Sequence, residues 1–162
     1  MPVWYRIVFV CRGAVFRGAN VKILVVDDSK AMRMIVKRTI RKAGFTGHTF
    51  IEAGNGAEAY RMITGDDTEK HPDLVMSDWN MPRMTGIDLA ERLQREDVVV
   101  PFGFVTSEGT KEMRERATNA GALFLIAKPF TVGAFEEALT PLIPAMEPEA
   151  GGESENPPPS EG

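Results

Sequence analysis

The stretch VKILVVDDSKAMRMIVKRTIRKAG, residues 21–44, decides the fold, because it holds one complete unit of a pattern that recurs along the chain. A run as apolar as Ile23–Val26 leaves no polar side for solvent, so it reads as a strand buried on both faces. Two acids, Asp27 and Asp28, end the run. Ser29 is placed to cap a helix, and Met32, Ile35, Val36, Ile40 and Ala43 recur at helical spacing to form one apolar stripe. Gly44 supplies the stop.

Working outward, HTFIEA (48–53), DLVMSD (73–78), PFGFVT (101–106) and LFLIAK (123–128) read as four more short strands, each followed by a helical pattern. Asn55 and Gly65 bracket the second helix. Thr85, with Asp88 three residues later, opens the third in the manner of a capping box. Thr110–Ala120 and Thr131–Ile143 supply the fourth and fifth. Five strand–helix units predict an α/β fold, a doubly wound parallel sheet with helices on both faces.

The two ends differ from the middle. Residues 147–162, EPEAGGESENPPPSEG, hold five Glu, no base and no large apolar side chain. Such a segment cannot bury enough surface to offset its chain entropy and is expected to be a disordered acidic tail. In residues 1–20, Val3, Tyr5, Ile7, Phe9 and Cys11 alternate as on a half-buried strand. This extension is expected to be an extra strand or arm, an interface element, or sequence upstream of the natural start. Residues 21–146 form the expected domain.

Without the tail the net charge moves from −4 to +1. A near-neutral domain has no basic stripe to neutralise phosphates, which argues against a nucleic-acid partner. No apolar run is long enough to span a bilayer, and the apolar Val3–Cys11 run is interrupted by Arg6 with no basic region before it, unlike a secretory signal. Cys11 is the single cysteine, so no disulfide can form within the chain, and a cytoplasmic location is expected. After Ile143 the remaining chain is too short for a DNA-binding or enzymatic domain, so any effector is expected to be a separate protein.

In a doubly wound sheet, ligands bind beyond the carboxyl ends of the strands. The polar residues of this chain collect there: Asp27 and Asp28 end the first strand, Asp78 the third, Thr106 the fourth and Lys128 the fifth. Three carboxylates about 5 Å apart repel by about 3 kcal/mol per pair at an effective dielectric of about 20, so they call for cations or protons. A hard divalent ion such as Mg²⁺ suits these ligands. A carboxylate nucleophile, a metal, a lysine and a hydroxyl are together the parts needed to form an aspartyl phosphate.

ILVVDDS, MSDWNMPRMTG, FVTSEG and LIAKPF resemble, in order and spacing, the receiver domain of two-component response regulators, with the greatest likeness to its stand-alone, CheY-like members. The resemblance covers about Val21 to Ile143. It implies a flavodoxin-like sheet of strand order 2-1-3-4-5 and Asp78 as the phosphoryl acceptor. It also implies Mg²⁺ bound directly by Asp28, Asp78 and the backbone carbonyl of Asn80, with Asp27 acting through water. Thr106 and Lys128 would bind the phosphoryl group, and Lys128–Pro129 would be a cis peptide. The donor would be a histidine kinase or phosphotransfer protein, the output an unidentified protein target, and the chain a monomer or weak dimer that signals rather than catalyses. One position departs from the pattern. Three residues before the lysine, where receivers carry a switch Tyr or Phe, this chain has Leu125, with Phe124 beside it.

The other function class is a flavodoxin-like protein that holds FMN or another phosphorylated ligand. The loop after the first strand discriminates: a phosphate cradle wants Gly, Ser, Thr and free N–H groups, and DDSK offers carboxylates. GNG at 54–56 reads better as a turn and helix start than as a phosphate motif. His48 and His71 are isolated and read as structural or solvated. Met32 and Met113 read as packing residues, and Trp79 as either a site-lining or a packed aromatic.

Overall fold

The computed structural model describes residues 20–143. Five strands, β1 (Lys22–Val26), β2 (Thr49–Ala53), β3 (Leu74–Ser77), β4 (Phe102–Thr106) and β5 (Phe124–Ala127), alternate with α1 (Lys30–Lys42), α2 (Gly56–Thr64), α3 (Gly86–Arg95), α4 (Lys111–Asn119) and α5 (Val132–Leu139). All pairings are parallel and the strand order is β2-β1-β3-β4-β5, the order that the resemblance implies. The expectations placed on residues 1–19 and on the acidic tail lie outside the described residues.

The unbroken apolar strands follow from two cores. Leu24 and Val26 point into a cluster with Ile63, Leu89, Leu93 and Phe104, while Ile23 and Val25 point the other way to meet Val36, Ile40, Phe135 and Leu139. Each helix begins on a side-chain cap, the expected Ser29 and Thr85 and also Asn55, Thr110 and Thr131, each accepting an N–H from the first turn. Gly44, at φ 98°, closes α1 in the left-handed conformation that costs an L side chain most. Met32 and Met113 are half-buried against the cores, as expected. The Asn55 cap settles GNG as a turn and helix start. Trp79 is packed, 7% exposed, with its ring 4.9 Å from that of Phe104.

One expectation fails locally. Helical spacing puts Ile35 on the buried stripe of α1, yet it is 46% exposed. At roughly 100° per residue, Met32, Val36, Ile40 and Ala43 centre the stripe and Ile35 lies nearly a quarter turn off it.

His48 accepts the Val21 N–H on Nδ1 at 3.1 Å, and burial pushes its pKa below the ordinary value. His71 Nε2 pairs with the Gly65 carbonyl. Asn20 fastens the entry to the sheet, its side-chain oxygen accepting from both the N–H and the hydroxyl of Thr49 at 3.0 Å. A 20–146 fragment is expected to unfold cooperatively, and removing Asn20 to leave 21–146 should cost about 1 kcal/mol, checked by urea titration. A noncooperative melt of both fragments would show that residues 1–19 are needed for folding.

Candidate functional site

Parallel strands of similar length end at one edge of the sheet, and the fold therefore gathers side chains that are far apart in sequence. Asp27, Asp28 and Asp78 each bring a carboxylate oxygen to within 4.8 Å of the others. Lys128, from the end of β5, extends its ammonium between two of them, 3.2 Å from Asp27 Oδ2 and 3.6 Å from Asp78 Oδ2. The peptide between Lys128 and Pro129 is cis.

The three acids are held differently. Asp27 is buried, and both carboxylate oxygens are engaged: Oδ1 accepts the Ser29 N–H at 2.8 Å and Oδ2 accepts from Lys128. Asp28 is exposed, and among the described residues no hydrogen bond reaches its carboxylate. Asp78 lies between these extremes. Its Oδ1 accepts the Trp79 N–H at 2.7 Å, and its Oδ2 faces Lys128. Burial pushes the Asp78 carboxyl above the usual carboxylate range; Lys128 pulls against this, the Asp27 charge adds to it, and the Trp79 N–H pulls back further. Desolvation prevails. A cation at the open side, facing Asp28, would relieve the same repulsion.

Thr106 is fully buried at the end of β4, next to β3 in the sheet. Its hydroxyl accepts the Glu108 N–H at 3.3 Å, and its carbonyl accepts the Lys128 N–H at 2.7 Å. That backbone bond ties the lysine and the threonine to one another. Asn80 is exposed, two residues beyond Asp78. Leu125 is half-buried against the cluster that holds Trp79 and Phe104, whereas Phe124 joins the opposite core.

Three contributors were not singled out from sequence. Ser77 is fully buried and its hydroxyl donates to the Asp78 carbonyl at 2.8 Å. Gly86 approaches the same carbonyl so closely that an added Cβ would lie 2.0 Å from it. The loop between them, NMPRMTG, is drawn back by the Gly86 N–H, which donates to Trp79 O at 2.9 Å, and by the Gly56 N–H, which donates to Met84 O at 3.1 Å. Arg33, on α1, donates from Nη1 to the Asp27 carbonyl at 2.7 Å. The apolar run before Asp78 and the helical pattern after Thr85 concealed the first two, since neither is marked by charge.

The family model for the response regulator receiver domain matches residues 23–140. The chain is 38% identical over 122 residues to the chemotaxis protein CheY-3 of Vibrio cholerae, covering 74% of this chain and 89% of that one. It is 36% identical over 120 residues to the chemotaxis protein CheY1 of Helicobacter pylori, covering 73% and 93%. Among solved structures, Vibrio cholerae CheY4 superposes with a TM-score of 0.63 at 27% identity, covering 76% of this chain and 98% of that one.

Proposed function

This chain belongs to the response regulator receiver domain family, and from that membership and the site geometry we propose that Asp78 accepts a phosphoryl group in a Mg²⁺-dependent reaction. The donor is a histidine kinase or a phosphotransfer protein. The phosphorylated protein then signals by binding a protein target, in a chemotaxis-like or phosphorelay output. The observation that carries this reading is the placement of a partly exposed carboxylate, Asp78, beside an ammonium at 3.6 Å and two further carboxylates at the open edge of the sheet.

Each residue has a part that its surroundings suit. An oxygen of Asp78 attacks phosphorus as the bond from phosphorus to the donor nitrogen breaks, and the new bond is an acyl phosphate. Bound Mg²⁺ supplies positive charge to the equatorial oxygens and draws together ligands that otherwise repel. Asp28 and Asp78, with the Asn80 carbonyl, would hold the ion directly, and Asp27, whose oxygens are already engaged, would act through water. Lys128 turns from the two aspartates toward the incoming phosphoryl oxygens, and the Thr106 hydroxyl donates to one of them. Binding of FMN or a similar anion at this edge is disfavoured, because the loop after β1 presents two carboxylates there.

Incubation with acetyl phosphate and Mg²⁺, followed by intact-protein mass spectrometry, is expected to show one added phosphoryl group that EDTA prevents. Protein that stays unmodified under both conditions would count against the reading. The ligand assignment makes its own prediction. Asp28→Ala should weaken Mg²⁺ binding by about tenfold or more, and Asp27→Ala by less, since an inner ligand contributes charge and a bond while an outer one acts through water. The check is a Mg²⁺ titration followed by Trp79 fluorescence in a Trp4→Phe background, which leaves one indole. Equal affinities for wild type and Asp28→Ala would contradict the ligand set.

A further inference from the structure

Asp27 is gripped at every polar atom. Its N–H donates to Ala53 O at 3.2 Å, its carboxylate is shared by Ser29 and Lys128, and its carbonyl accepts from Arg33. The last of these has a particular consequence. The carbonyl of Asp27 belongs to the planar peptide that joins Asp27 to Asp28, so fixing that oxygen fixes the plane from which Asp28 departs.

Arg33 is itself anchored. Its Nε donates to Glu52 Oε1 at 3.0 Å, and Lys37 holds Glu52 Oε2 at 2.9 Å. The Arg33 side chain is 16% exposed, and Lys37 and Arg33 together hold the Glu52 carboxyl below its usual range even though burial opposes them. One planar guanidinium therefore bridges the carbonyl at the end of β1 and a carboxylate on β2. A lysine, with a single nitrogen on a flexible stem, cannot hold both points in that geometry.

Charge alone would make Arg33 unwelcome here, because a cation near a divalent-ion site disfavours the ion. Its place here is accounted for by geometry. We propose that Arg33 is a positioning residue for the cation pocket: by clamping the Asp27–Asp28 peptide to Glu52, it aims the Asp28 carboxylate, unheld among the described residues, at Asp78. The inference rests on the reading that Asp28 and Asp78 bind Mg²⁺.

The two possible roles of Arg33 differ in sign, which makes the test direct. Full-length wild type, Arg33→Ala, Arg33→Lys and Arg38→Ala are titrated with MgCl₂ by calorimetry, and each is melted in EDTA. Positioning predicts that Arg33→Ala and Arg33→Lys both weaken Mg²⁺ binding by about tenfold, as loss of a residue that orients a ligand does. Arg38→Ala, which removes a charge from the exposed face of the same helix, should leave affinity within about twofold. Tighter binding by Arg33→Ala with unchanged binding by Arg33→Lys would show a charge effect and overturn the proposal. Lower melting temperatures with wild-type affinity would overturn it as well, as a structural role only. Should Arg33→Ala not fold, Arg33→Lys decides alone, since its charge is unaltered. Wild type that takes up no Mg²⁺ would remove the metal reading along with this inference, whereas wild type that binds while both Arg33 variants match it removes the inference alone.

Discussion

Asp78→Asn is expected to take up no phosphoryl group from acetyl phosphate and, in metal-free buffer at neutral pH, to melt above wild type. An amide offers no carboxylate oxygen to phosphorus, so labelling should fall from one group per chain to none. The fold should survive, because the side-chain oxygen can keep the Trp79 N–H and Lys128 keeps Asp27. The stability gain follows from the direction of the Asp78 shift. Burial raises its folded pKa above the ordinary value of 3.8, and Lys128 and Trp79 only partly offset this. Between 3.8 and the raised value the folded state binds more protons than the unfolded one, so stability is greatest below that window and falls as pH rises through it. At pH values above that window wild type bears the cost of the buried charge, which asparagine, having no ionisable group, does not. Each kcal/mol released should lift the melting temperature by about 3–5 °C for a domain of this size. The gap should close as the pH is lowered toward the unfolded value. Equal labelling of the variant would end the assignment of Asp78, and a variant less stable at neutral pH would mean that Lys128 outweighs desolvation.

The acids were legible because a strand's carboxyl end is a fixed address. Once VKILVV reads as a buried strand, Asp27 and Asp28 must stand at its rim, and the same argument places Asp78, Thr106 and Lys128. Five strand–helix units are enough to imply a parallel sheet, but the order in which strands lie is a property of crossovers that no local pattern encodes. It came from the four family motifs. Ile35 shows the limit of periodicity on one helix: every residue of a broad stripe looks alike until the packed neighbour decides where its centre is. Arg33 and Ser77 show a different limit. Their contacts run to backbone carbonyls, which have the same chemistry at every position, so nothing in the residue types reveals the pairing. Ser77 reads as the tail of an apolar strand and Arg33 as one of several bases on α1.

The largest loss of stability should come from a methyl group. Gly86 opens α3 directly after the Thr85 cap, and sequence gives it no more than the role of a helix start. In the structure its Cα faces the end of β3, and an alanine Cβ would meet Asp78 O at 2.0 Å, Ser77 Oγ at 2.8 Å and Asp78 C at 3.0 Å. Two of these are backbone atoms of Asp78, the proposed acceptor, and no rotamer can move them aside. Relief requires that α3 retreat or that the Asp78 peptide turn, which would break the Gly86 N–H bond to Trp79 O, the Ser77 bond to Asp78 O, or both. Buried Ile87, Leu89, Ala90 and Leu93 on α3 resist the retreat. A clash against fixed backbone, together with lost buried hydrogen bonds, should cost about 3 kcal/mol or more, a large share of the roughly 5–15 kcal/mol that holds a domain together. Gly133→Ala is the matched comparison. It adds the same methyl within α5, where the nearest atom is Thr131 Oγ1 at 3.8 Å, and alanine's better helix propensity should stabilise by up to about 1 kcal/mol. Urea denaturation should thus move the two midpoints in opposite directions, and whatever Gly86→Ala protein remains folded should accept phosphate poorly because Asp78 is displaced. Matching midpoints for the two variants would show that the α3 entrance yields freely, and that the end of β3 is not held by this contact.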